Sequence, residues 1–209
     1  MLKRLVLIAL LIQSVPVNAN SYDDLLTAVK LNNIAAAEEL FAKGMDVNTT
    51  DPGANTILML AVRENHQELV QRILDRKAKV GARNAYGETA LMFATARGNL
   101  EMVKLLVSRG AAVNQTGWTA LIYAAWQGKT DVVKYLLEKG AEIDAVSPNG
   151  ITALMMAARG GHLETVKLLL WEVADPNIKS QSGGTALEWA RSARNTEIVE
   201  LLKQAGAKE

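Results

Sequence analysis

A short motif that begins with threonine recurs along this chain, and it constrains the fold more than any other feature. The threonines stand at positions 56, 89, 119, 152 and 185, and the intervals between them are 33, 30, 33 and 33 residues. An alanine follows five residues after each threonine. Ala28, 33 residues before the first of these alanines, extends the alanine series by one unit towards the N-terminus. Repetition at a fixed period of about 20–50 residues is typical of arrays in which each unit packs on its neighbours.

Each unit is predicted to contain two short helices and a turn. In the unit that starts at Thr89, the threonine side chain can cap a helix by accepting a hydrogen bond from a free backbone N–H. Arg97-Gly98-Asn99 breaks that helix, and the apolar stripe from Met102 to Leu106 predicts a second helix. Helices shorter than about 12–15 residues are marginal on their own in water, so stability must come from stacking of the units.

The repeated unit resembles the ankyrin repeat. The family consensus runs Thr-Pro-Leu-His-x-Ala-Ala, Gly-His, Val-x-x-Leu-Leu and Gly-Ala-Asp-x-Asn, and it corresponds here to residues 152–158, 161–162, 166–169 and 174–177. The resemblance covers residues 21–209. It implies an all-α solenoid of stacked helix-turn-helix units with polar, hairpin-like turns.

The repeat register divides the chain into four parts. We predict a signal peptide at residues 1–19, a degenerate N-terminal repeat at 20–53, four central repeats at 54–184 and a C-terminal capping repeat at 185–209. The unit that begins at Thr89 is three residues shorter than the others. One projecting turn in the middle of the array is therefore expected to be shortened.

The residue that ends each second helix also varies between units. Gly110 and Gly140 keep the glycine that a left-handed helix cap favours, whereas Lys77 and Val173 replace it. A β-branched side chain is unfavourable on a left-handed backbone. Backbone strain is therefore expected at Val173 if the cap is kept.

The first twenty residues differ from the repeats. Lys3 and Arg4 precede an apolar run of eight residues from Leu5 to Ile12, and Val17-Asn18-Ala19 follows. A positive end, a short apolar centre and small residues are typical of a cleaved secretory signal. The alternative is a membrane anchor, but roughly 20 apolar residues are needed to span a bilayer. We expect a periplasmic protein with no membrane attachment after cleavage, or else one secreted from the cell.

The composition excludes several kinds of chemistry and partner. The sequence contains no cysteine, so disulfides, thiolate metal sites and cysteine nucleophiles are impossible. A formal net charge of +1 gives no basic surplus for binding nucleic acid. His66 and His162 occupy equivalent positions, where the family uses histidine structurally. We therefore expect no catalytic residue, no metal site and no cofactor, and catalysis is disfavoured.

The resemblance also implies where a partner binds. Ankyrin proteins vary the residue before the threonine and the two residues after the Ala-Ala pair, on the concave face of the array. Trp118 and Trp126 occupy these positions in one unit, and tryptophan, tyrosine and arginine are enriched in binding hot spots. The alternative is that both rings fold back on the solenoid. The predicted partner-binding residues are Tyr86, Glu88, Arg97, Trp118, Trp126, Gln127, Ile151 and Arg159.

The other two tryptophans are assigned differently. Trp189 shares its repeat position with Phe93, Tyr123 and Met156, which indicates a core side chain. Trp171 lies late in a second helix, where partial exposure on the back of the array is expected.

These features together favour a protein-binding module of the bacterial periplasm, monomeric when free. It is expected to inhibit, protect against or adapt an exported envelope enzyme or toxin, so the expected partner is a protein such as an exported hydrolase or toxin. The alternative is a secreted effector that binds a host protein.

Overall fold

A computed structural model describes residues 19–208, so all but the last residue of the predicted signal peptide lie outside the described part. Within this range the backbone forms twelve helices in six pairs and one isolated antiparallel bridge, between Thr50 and Thr56. The all-α prediction is confirmed. The helices are α1 (Ala19–Lys30), α2 (Ile34–Ala42), α3 (Ile57–Arg63), α4 (Gln67–Asp75), α5 (Ala90–Arg97), α6 (Leu100–Ser108), α7 (Ala120–Trp126), α8 (Thr130–Glu138), α9 (Ala153–Gly160), α10 (Leu163–Trp171), α11 (Ala186–Ser192) and α12 (Thr196–Gln204).

The repeat threonines fix where the first helix of each unit begins. Thr119 has an extended backbone, with φ −106° and ψ 159°, and its side-chain oxygen accepts a hydrogen bond of 3.2 Å from the Ile122 N–H. This satisfies one of the backbone donors that a helix start leaves free. The predicted cap is confirmed, and the same bond occurs at Thr56, Thr89, Thr152 and Thr185.

The helices stack in two layers. Each first helix contacts the first helix of the next unit and the second helix of its own. In the second layer each of α6, α8 and α10 contacts the next second helix along the chain. The repeated alanines of the first helices are buried, and their small side chains let neighbouring helices approach closely. Apolar side chains between the layers form one continuous core, which supplies the stability that the short helices lack alone.

Both histidines link one repeat to the repeat before it. His66 Nε2 lies 3.1 Å from the Lys30 carbonyl oxygen, and His162 Nε2 lies 2.8 Å from the Trp126 carbonyl oxygen. A carbonyl oxygen can only accept, so the ring nitrogen is the donor in each bond. Asn195 makes a similar link, because its side-chain amide donates to the end of α9. These contacts agree with the structural role predicted for the two histidines.

Polar hairpin turns join the units, and one of them is irregular. In the turn before Thr89, the Asn84 N–H donates to the Glu88 carbonyl oxygen at 3.0 Å, and equivalent bonds close the turns at 51–55, 147–151 and 180–184. The turn before Thr119 contains only bends and lacks this closing bond within the described residues. The loss of three residues has therefore shortened this turn, as predicted.

The left-handed cap is kept where glycine is missing. Val173 has φ +67° and Lys77 has φ +61°, in the same region as Gly110 and Gly140. Val173 is also 82% exposed. Its side chain therefore gains little packing energy to compensate for a strained backbone.

A candidate protein-binding surface

The exposed side of the first-helix layer carries most of the predicted binding residues. One side of each first helix packs on the second-helix layer, and the opposite side, which the prediction names concave, faces solvent. We call this exposed side the first-helix face. It is formed by Phe93, Arg97, Trp118, Tyr123, Trp126, Gln127, Arg159 and Trp189.

Three aromatic rings form a continuous cluster on this face. The ring centres of Trp118 and Tyr123 lie 6.0 Å apart in an edge-to-face arrangement, and those of Tyr123 and Trp126 lie 6.3 Å apart. Both distances fall in the range of favourable aromatic pairs. Trp126 is 48% exposed, whereas Trp118 is partly buried against the core. From its repeat position, Tyr123 was predicted to be a core side chain. The prediction therefore did not include the ring that contacts both tryptophans.

Glu88 holds the central ring of the cluster. Its Oε1 accepts a hydrogen bond of 2.8 Å from the Tyr123 hydroxyl, and its Oε2 accepts one of 2.9 Å from Asn84 Nδ2. Partial burial raises the pKa of the Tyr123 phenol, and the hydrogen bond to Glu88 raises it further. Glu88 was predicted as a partner contact, and the structure shows that it orients an aromatic neighbour.

The hydrogen bonds continue from Glu88 into the preceding repeat. Asn84 Nδ2 also donates to Asn55 Oδ1 at 2.9 Å, and Asn55 Nδ2 donates to Asp51 Oδ2 at 3.0 Å. Burial disfavours the charged form of Asp51, but hydrogen bonds from Asn55 and from the Gly53 N–H, together with the nearby Arg63 charge, outweigh it and lower the pKa of that carboxyl. Side chains of three successive repeats are thereby linked at the edge of the first-helix face.

Arginines flank the aromatic cluster on both sides. Arg97, in the repeat before α7, has Nη2 4.0 Å from a Glu64 carboxylate oxygen. Arg159, in the repeat after α7, has its guanidinium carbon 5.5 Å from the centre of the Trp189 ring. Trp189 packs against the core and is only partly buried. The prediction of a core side chain was therefore correct only in part.

The remaining predicted residues are more dispersed. Gln127 is exposed at the end of α7, directly after Trp126. Tyr86 is 81% exposed at the tip of the turn that precedes Thr89. Ile151 is partly buried against the core, which leaves it less surface for a partner than its position predicted.

The back of the array carries a separate exposed tryptophan. Trp171, the last residue of α10, is 83% exposed. The sequence predicted partial exposure at this position. Because Trp171 belongs to the second-helix layer, it offers a natural comparison with Trp126 on the other layer.

Within residues 19–208, no three His, Asp or Glu side chains come together in a way that could hold a metal ion. None of the helices in that range combines the length and the apolar character needed to cross a bilayer.

A stack of helix pairs with an exposed face of aromatic and arginine side chains defines a repeat module of the protein-binding class. The family model for ankyrin repeats (3 copies) matches residues 5–84, 58–147 and 140–209. The chain therefore belongs to the ankyrin-repeat family, whose fold is typically a non-catalytic module for protein–protein interaction.

The chain is similar to parts of larger proteins and to an ankyrin repeat domain of known structure. It is 40% identical over 85 residues to glycerophosphocholine phosphodiesterase gde1 of Schizosaccharomyces pombe, which is 39% of this chain and 8% of that protein. It is 36% identical over 92 residues to mouse ankyrin repeat and SAM domain-containing protein 6, which is 43% of this chain and 10% of that protein. A crystal structure of an ankyrin repeat domain from Acinetobacter baumannii AYE is 30% identical, with a TM-score of 0.76, and the match covers 88% of this chain and 98% of that chain. The chain thus matches a tenth or less of the two larger relatives.

Proposed function

We propose that this chain is exported and acts in the bacterial periplasm, where it binds and inhibits an exported envelope enzyme or toxin through the first-helix face. The observation that carries the proposal is the cluster of Trp118, Tyr123 and Trp126. The exposed Trp126 ring and the partly exposed rings beside it form an apolar patch, and such patches often mark interaction sites. Binding through the same face could instead protect the cell against the toxin or link the enzyme to another protein.

The cluster is arranged to bind without much reorganisation. Trp118 rests on the core, and Tyr123 is held by the Glu88 carboxylate. Side chains that are already ordered lose little conformational entropy when a partner binds. Trp126 is the most exposed of the three rings and is therefore the natural anchor for an apolar side chain of the partner.

Two observations support export and a bacterial setting. The order of charged, apolar and small residues over 1–19 is that of a cleaved signal. The similar ankyrin domain of known structure comes from a bacterium. Inhibition is the simplest action for the chain, because a bound repeat array occludes the partner surface that it covers.

Location is tested by expressing the full chain with a C-terminal tag in a Gram-negative bacterium and fractionating the cells. The account predicts a periplasmic protein that begins at Asn20 and has 190 residues (209 − 19) before the tag. Intact mass measures the cleavage. An unprocessed chain that stays in the cytoplasm would contradict the proposal of export.

Inhibition is tested with the partner that co-purifies from the periplasm. The wild-type chain is expected to retain that partner and lower its enzymatic or toxic activity, whereas Trp126→Ala is expected to lose both effects. Retention with unchanged activity would favour adaptation over inhibition. Equal retention by the wild type and Trp126→Ala would contradict binding through the first-helix face.

A further inference from the structure

A small pocket lies beside the aromatic cluster, between the ends of α9 and α11. Its volume is about 380 Å³, and it is lined by Arg159, Trp189, Ser192 and Ala193. The Arg159 guanidinium lies over the Trp189 ring, with 5.5 Å between its carbon and the ring centre. A guanidinium that stacks on an aromatic ring keeps N–H groups at its planar edge available as donors.

Arg159 has no acidic partner in the described part of the chain. Three carboxylates on or beside the first-helix face have partners of their own. Glu64 pairs with Arg63 and with Arg97. Glu88 accepts from Tyr123 and Asn84. Oε2 of Glu188, on α11, accepts from the Thr185 backbone N–H at 2.8 Å. No described carboxylate forms an ion pair with the Arg159 guanidinium, so its charge is available to a partner.

The pocket and the exposed tryptophan lie at equivalent positions of neighbouring repeats. Trp126 and Arg159 each follow their repeat threonine by seven residues, on α7 and α9, which contact each other. The axes of packed helices are about 8–10 Å apart. An extended peptide advances about 3.3 Å per residue, so about three residues of a bound segment would span that distance.

We infer that this pocket binds the carboxylate of an aspartate or glutamate side chain of the partner protein. The same partner segment places an aromatic or large apolar side chain on Trp126, about three residues away from the acidic one. Arginine recognises a carboxylate with paired, charge-assisted hydrogen bonds, and the hydroxyl of Ser192 offers a further donor. This inference rests on the proposed function, because it names the chemistry of the partner that the first-helix face would bind.

The test uses random linear peptides that are displayed with a free amino end and a fused carboxyl end. Only side-chain carboxylates are then available to the pocket. Peptides are selected on the processed chain purified from the periplasm. The inference predicts enrichment of Asp or Glu about three residues from an aromatic or large apolar residue. Selected peptides without such acidic enrichment would overturn it.

A selected acidic peptide is then measured against matched variants by its Kd. Arg159→Glu is expected to weaken binding about tenfold or more, and replacing the acidic residue of the peptide by its amide should weaken wild-type binding similarly. Lys134→Glu is the control, since it makes the same charge change at an exposed position of α8 in the second layer. It should change Kd less than about twofold. Melting curves of both variants confirm that they remain folded.

The outcomes separate this inference from the proposed function. Binding that is lost in Trp126→Ala but kept in Arg159→Glu would overturn the carboxylate site and leave the binding face intact. Binding that is kept in Trp126→Ala would contradict the first-helix face itself. Equal weakening by Arg159→Glu and Lys134→Glu would show an effect of net charge alone and would also overturn the inference.

Discussion

The hydroxyl of Tyr123 donates a hydrogen bond of 2.8 Å to the carboxylate of Glu88, across the boundary between two adjacent repeats. Glu88 is the residue before the repeat threonine Thr89, so the turn of one repeat orients a helix side chain of the next. Because Tyr123 contacts both Trp118 and Trp126, this bond helps to hold the ring at the centre of the aromatic cluster.

The first prediction concerns the strength of this bond. Tyr123→Phe keeps the ring but leaves the Glu88 carboxylate without one of its donors, and we expect the free energy of unfolding to fall by about 1–2 kcal/mol. Urea denaturation measures this change. Glu88→Gln leaves one amide oxygen where two carboxylate oxygens accept from Tyr123 and Asn84, so it should also be destabilising. Unchanged stability in Tyr123→Phe would show that the bond is not maintained in solution.

Partial burial of the Tyr123 phenol and its bond to Glu88 together predict a loss of stability in alkali. The pKa of the Tyr123 phenol is raised in the folded protein, so above about pH 10 an unfolded tyrosine releases its proton while the folded one keeps it. The unfolded state then binds fewer protons than the folded state, and stability falls as the pH rises. Urea unfolding between about pH 9 and 11 should show a shallower decline for Tyr123→Phe than for the wild type. Identical slopes would contradict the raised pKa.

The strained cap at Val173 predicts a stabilising substitution. Val173 has φ +67° and is 82% exposed, so glycine relieves strain and removes little packing. We expect Val173→Gly to raise the free energy of unfolding by roughly 1 kcal/mol. The matched control is Gly110→Val, at the equivalent position with φ +92° and no atom near the added Cβ. It should be destabilising, and a lower melting temperature for Val173→Gly would mean that the valine side chain is stabilising where it stands.

The shortened turn predicts a second stabilising change. Gln115 Nε2 is buried there with no hydrogen-bond partner, and a buried unsatisfied donor costs about 1–3 kcal/mol. Gln115→Met keeps a side chain of similar length without that donor. We expect it to raise the free energy of unfolding by about 1 kcal/mol, measured by urea denaturation. A destabilised Gln115→Met would indicate that water or a neighbouring acceptor satisfies the amide.

Local features of the sequence predicted most of the fold. The threonine caps and the alanine register depend on residues a few positions apart, so a repeating motif was sufficient to place the helices. The shortened turn and the cap at Val173 followed from a comparison of one repeat with the next. Each of these features is determined within a single unit.

The details of the binding surface were harder to predict because they depend on contacts between units. Tyr123 and Glu88 are 35 residues apart, and the position of each within its repeat does not show which side chains of neighbouring repeats meet. Trp118 occupies a position that varies in the family, yet it packs partly against the core. Stability is therefore expected to change more in Trp118→Ala than in Trp126→Ala, which makes Trp126→Ala the cleaner test of binding.

The most direct test of the binding surface compares two exposed tryptophans on opposite layers. Trp126 is 48% exposed on the first-helix face, and Trp171 is 83% exposed on the second-helix layer. The Kd for the periplasmic partner is measured with Trp126→Ala and with Trp171→Ala. The account predicts that Trp126→Ala weakens binding by at least about 2 kcal/mol and that Trp171→Ala leaves Kd within about twofold of the wild type. Loss of binding in Trp171→Ala with full retention in Trp126→Ala would contradict the account and place the partner on the back of the array.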